Sequence, residues 1–172
     1  MAISLYDLSV ASYIQTLGAV SNFVSKGKDF LESRNIHPDE FLETRLYEDM
    51  LPFRFQLISV VHHSLGAIRG IEAGVFSPPP TLDLDYTGLH RHVYDAGTAL
   101  EAYTREAIEE LEGKDVLFKS TSYEIPFKAE DFLMSFSLPN FYFHATTAYD
   151  LLRLNGMPLG KRYFLGHLRS RK

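Results

Sequence analysis

The chain contains no cysteine. Disulfides, thiolate metal sites and cysteine nucleophiles are therefore excluded, while the redox compartment stays open. It also lacks any uncharged apolar run of about 18 residues, the length a membrane-spanning helix needs. No basic n-region followed by an apolar h-region opens it. These absences predict a soluble, cytoplasmic protein without a membrane partner. No glycine-rich phosphate loop follows a strand, and G-x-S-x-G, H-E-x-x-H and calcium-loop patterns are missing. Internal repeats and low-complexity tracts are absent as well. A formal net charge of -5 argues against a nucleic-acid partner. Basic residues gather only in "KRYFLGHLRSRK", where Lys161, Arg162, Arg169, Arg171 and Lys172 read as a solvated tail.

What is present is ordinary globular composition, 45% hydrophobic and 23% charged over 172 residues. That length suits one domain, 1-172, with a core of its own. Apolar residues recur at helical spacing. Tyr6, Tyr13, Leu17, Val20, Val24 and Leu31 form one stripe of a first helix that Asn35 stops. "DEFLETRLYED" reads as a short helical piece. A second long helix is predicted from a cap at Asp49 to about Gly74, with Pro52 in its first turn. The triple proline of "VFSPPPTLDLDYTG" forces an extended crossing. A third helix is expected over Leu89 to Glu112, ended by Gly113. "DVLFKSTSYEIPFK" alternates enough for a small hairpin. A fourth helix is expected from Glu130 to Leu154, with Pro139 kinking or restarting it. The pattern predicts an all-α fold, a four-helix bundle with a short irregular or hairpin segment before the last long helix.

Bundles build sites from side chains that point inward. Of seven histidines, His37 and His167 fall in a turn and the tail. Angular spacing puts His63 at the edge of the second helix's apolar stripe and His62 more nearly opposite, towards Phe55 and Arg69. On the fourth helix Asn140, His144, Thr147 and Leu151 share a face. His63 and His144 are thus expected to border a common void between helices. A histidine so placed can bind a metal, move a proton or bridge two buried groups. Gly66, Gly70 and Gly74, four apart, allow close approach of another backbone or a ligand. Arg45 and Asp49 are spaced for a salt bridge at a helix start.

The stretches "SLYDLSV", "RLYEDMLPF", "HHSLGA" and above all "LPNFYFHATTAYDLLRLNGMPLGK" resemble a domain family of unknown function in the DinB/YfiT-like superfamily. The resemblance spans nearly the whole chain. It implies a DinB-like bundle, often a homodimer, with a small-molecule pocket. In many members three histidines hold a divalent metal, one from the second helix and an H-x-x-x-H pair from the fourth. His63 and His144 match two of these positions. The third falls at Ala148, and a further family histidine at Leu154. Asp49, His62 and His90 remain as other donors for Zn, Ni or Fe.

Three readings follow. In the first, His63 and His144 are catalytic acid and base toward a hydrophobic small molecule, in isomerisation, dehydration or cyclisation of the kind found in biosynthesis of secondary metabolites. Asn140, Thr147, Tyr149 and Asp49 would bind the substrate, and the thirteen Phe and ten Tyr would wall it. No cofactor is needed. In the second, a metal on His63 and His144 serves a hydrolase or thiol transferase. In the third, the bundle binds a ligand or a second subunit and does no chemistry.

Overall fold

The computed structural model describes residues 3–170. The chain is mostly helical and also carries a small three-stranded sheet, so the all-α expectation is corrected. Residues Leu5–Leu8 form α1, whose N-cap Ser4 accepts from the Asp7 amide. Ser9 then breaks the predicted first helix, and α2 runs from Val10 to Ser33. Tyr13, Leu17, Val20, Val24 and Leu31 of the predicted stripe are buried in its core face. Asn35 ends it in the left-handed region at φ 57°.

Pro38–Phe41 makes only one turn, α3, with His37 as its N-cap. The chain from Leu42 to Pro52 is irregular, so most of "DEFLETRLYED" is not helical. Asp49 caps nothing. Pro52 is itself the N-cap of α4, Phe53–Val61, because an extended proline ends the preceding loop without needing a donor. Arg45 donates to the Met50 carbonyl at 2.6 Å rather than pairing with Asp49. After α4 comes a wide π-helical turn, His62–Gly66, and then α5, Ala67–Ala73.

Gly74, at φ 73°, turns the chain out of α5. The next two residues form β1, Val75–Phe76, which pairs in parallel with β2, Asp115–Lys119. Two residues are too few for alternation to betray a strand. Strand β3, Glu124–Lys128, completes the expected hairpin, antiparallel to β2. The predicted third helix divides. Tyr86–Glu101 is α6, capped by Asp85, and Arg105–Glu109 is α7, capped by Thr104. A threonine hydroxyl bonding the Ala107 amide competes with helix continuation there.

The last long body is α8, Ala129–Asp131, a second π-helical turn, Phe132–Ser137, and α9, Leu138–Leu154. Pro139 lies in the first turn of α9, directly after the wide turn, and causes no break. Helix α2 packs on α6, α4 packs on α9 and α6, and α2 also meets α9. Their apolar faces join in one continuous core. In the tail Lys161, Arg162 and Arg169 are exposed, although α10, Lys161–Leu165, lies against α2, and Arg171 and Lys172 fall outside the described residues.

Candidate functional site

The two π-helical turns face one another and carry the site. Ser137, at the end of the second, donates its hydroxyl to the His63 carbonyl at 2.7 Å. Tyr13 meets the same hydroxyl at 2.6 Å. Since Ser137 has one proton and spends it on the carbonyl, Tyr13 is the donor of that second bond. Burial pushes the Tyr13 phenol far above its usual range, so it keeps its proton. This relay from α2 to both wide turns fixes the backbone that presents His63.

Three imidazoles adjoin. The His63 and His144 rings are nearly parallel, interplanar angle 14°, with centroids 5.8 Å apart. His62 stands across His63 at 5.3 Å and 77°. Aromatic rings enclose them: Phe76 stacks on His62 at 4.2 Å, Phe136 lies 5.7 Å from His63, and Phe55 lies 5.7 Å from His144. Desolvation dominates their protonation. It pushes His63 down to about 3, helped by repulsion from His62 and His144. Burial brings His62 to about 4, partly opposed by the Ser77 backbone. His144 also falls to about 4, through burial and then His62. All three are neutral at neutral pH.

Gln56 sets the tautomer of His144. Its amide nitrogen donates to the Leu51 carbonyl at 2.7 Å, which leaves its oxygen facing His144 Nδ1 at 2.7 Å. His144 therefore carries its proton on Nδ1 and keeps a lone pair on Nε2. Sequence reasoning missed this buried glutamine. The available sign was its spacing of seven from His63, two helical turns along one face.

The other expected residues do not join the pair. Asn140 donates to the Phe136 carbonyl at 2.7 Å and Thr147 to the Phe143 carbonyl at 2.8 Å. Each spends its donor on its own helix. Tyr149 donates to the Leu159 carbonyl at 3.2 Å and packs edge-on against Phe23. Asp49 sits in an exposed turn. Among the described residues, none of these four bonds to His63 or His144. His90 meets Ser21 of α2 at 3.1 Å, away from the site. The expected common void is also displaced. Large aromatic side chains take up the space beside the pair, and five well-formed cavities among the described residues are lined by neither His63 nor His144. One cavity is lined instead by His62.

The metal implied by the resemblance does not fit this donor set. The third position is Ala148, fully buried, and the further family position is the exposed Leu154. Among the described residues no three histidine, aspartate or glutamate side chains are placed to hold an ion.

The family described as Domain of unknown function (DUF1993) matches residues 5–165. No curated protein matches the chain. Among solved structures, the crystal structure of a DinB family member protein from Shewanella denitrificans is similar, with a TM-score of 0.79 and 22% identity. The likeness covers 98% of this chain and 95% of that one, and at such identity it speaks for the fold alone. By the match over almost its whole length, the chain belongs to the DUF1993 family, whose function is unknown.

Proposed function

We propose that this chain is a small-molecule enzyme that relocates a proton on an apolar substrate, with His63 and His144 as its acid and base. The parallel imidazole pair carries the reading, above all the fixed Nδ1–H tautomer of His144. A neutral imidazole accepts a proton without first losing one. Burial makes the resulting imidazolium a strong acid that gives the proton back readily. That cycle suits isomerisation, dehydration or cyclisation, in which a proton leaves one carbon and returns elsewhere. No step is routed through a metal, because Ala148 removes the third donor. The reading includes a DinB-like four-helix bundle as a single domain, a homodimeric state and a cytoplasmic place. No helix among the described residues is long and apolar enough to cross a membrane.

Proton abstraction beside a carbonyl can initiate each of the three reaction types. Exchange of α-protons of apolar ketones with solvent deuterium, followed by proton NMR, is therefore the test. Catalysed exchange by the wild type and its loss in His144→Ala are expected. Equal exchange in both proteins would overturn the reading. A ligand-binding bundle without chemistry is the competing reading, favoured by the phenylalanines packed around the pair. Absence of exchange with every ketone would select it.

A further inference from the structure

A separate cavity of about 460 Å³ opens between the α4–α5 body and α6, with Pro80 and Leu82 of the crossing segment among its walls. Its size falls within the roughly 300–1,000 Å³ of small-molecule sites. Ile58, Leu65, Leu82 and Ala96 make most of it apolar, while His62, Arg69, His92 and Asp95 are its polar groups.

The charges of these four are unequally committed. Asp95 is matched by Arg91, whose Nε donates to it at 2.7 Å. Both imidazoles are half-buried and uncharged near neutral pH. Arg69 forms no ion pair with a carboxylate among the described residues. It lies beside the Tyr103 hydroxyl, which donates to Glu72 at 3.0 Å. The cavity wall thus carries a guanidinium without a salt-bridge partner among the described residues, with the Glu72 carboxylate across the Tyr103 hydroxyl from it. His62 adds a second mark of incompleteness, since its Nε2 is buried and has no hydrogen-bond partner. Such an omission is unfavourable unless something supplies the bond.

We propose that this cavity binds a small apolar carboxylate. The hydrocarbon part lies against Ile58, Leu65, Leu82 and Ala96, and the carboxylate pairs with Arg69. A planar guanidinium matches a carboxylate through two parallel hydrogen bonds. One exposed guanidinium beside an apolar lining favours a monoanion with a hydrocarbon body over a dianionic phosphate, which has no hydrocarbon to bury and two charges for one cation. The inference does not depend on chemistry at His63 and His144.

Calorimetric titration of the full chain with octanoate and phenylacetate tests it, with 1-octanol and inorganic phosphate as controls. Both carboxylates are expected to bind, and octanol at least about tenfold more weakly, the worth of one charge-assisted hydrogen bond. Arg69→Gln, at an exposed position, should weaken octanoate by a similar factor and leave octanol unchanged. Ala99→Trp, which fills the cavity, should abolish binding. His144→Ala should bind octanoate as the wild type does, which separates this site from the proton-transfer pair. Octanol binding as tightly as octanoate, no effect of Arg69→Gln, or no binding of either carboxylate would each overturn the proposal.

Discussion

The Nδ1 of His144 lies 2.7 Å from the amide oxygen of Gln56, an oxygen whose orientation is fixed by the bond from the same amide to Leu51. Nitrogen-15 correlation spectra are expected to show His144 as the Nδ1–H tautomer. Gln56→Glu places a carboxylate against that N–H and should raise the His144 pKa from about 4 to above the ordinary histidine value of about 6.5. Gln56→Leu should instead leave the pKa low and destabilise the fold by about 1–3 kcal/mol, through a buried donor without a partner. Imidazole titration and urea denaturation read the two outcomes.

Stability should fall on mild acidification. His62, His63 and His144 have folded pKa values depressed to about 4, 3 and 4. Between those values and about 6.5 the unfolded chain binds more protons than the folded one, so stability is full above about pH 6.5 and is lost as the pH falls toward 4. Each imidazole contributes a slope on the order of 1 kcal/mol per pH unit. Urea unfolding measured from pH 7 to pH 4.5 checks this, and His63→Gln should flatten the slope.

The relay through Ser137 predicts a strong non-additivity. Ser137→Ala leaves both the Tyr13 hydroxyl and the His63 carbonyl without a partner and should cost about 2–4 kcal/mol. Tyr13→Phe leaves one lone pair unmet and should cost about 1–2 kcal/mol. In the double variant the lost bond between them is counted once, so the total should fall short of the sum. Chemical denaturation of the three proteins measures the shortfall.

Three glycines spaced by four have three different reasons. At Gly70 an added Cβ would lie 2.9 Å from the Phe76 ring and 3.3 Å from the Val75 carbonyl. At Gly66 the nearest atom is the Nδ1 of His62, one turn back, at 3.3 Å. Gly74 is needed for its φ of 73°. Gly70→Ala should therefore cost about 1–3 kcal/mol by overpacking, and Gly66→Ala markedly less. Thermal unfolding of the pair of variants separates close approach from mere spacing.

Much of the architecture was legible because long helices repeat their apolar residues. Tyr13, Leu17 and Val20 announce α2, and the alternation of Val116 and Phe118 announces the hairpin. Strand β1 was hidden, since Val75 and Phe76 pair with residues about forty positions later and carry no periodicity of their own. The split between α6 and α7 depends on one hydroxyl, that of Thr104, which outweighs an otherwise continuous stripe. At the site, angular spacing brought His63 and His144 to the same place. It also gave Asn140 and Thr147 an inward role that their bonds to their own helix take away. Gln56 looked like one more polar residue until its amide was seen between Leu51 and His144.

The π-helical turns at His62–Gly66 and Phe132–Ser137 have a consequence for how this chain tolerates length changes. A turn closed by i→i+5 bonds houses one residue more than an α-turn. Deleting a single residue from either one would give an unbroken α-helix, with everything beyond it rotated by about 100° relative to its partner. Arg69 or His144 would then swing onto a different wall of the protein. The surplus residue in each turn works as a phase adjuster for the side chains that follow.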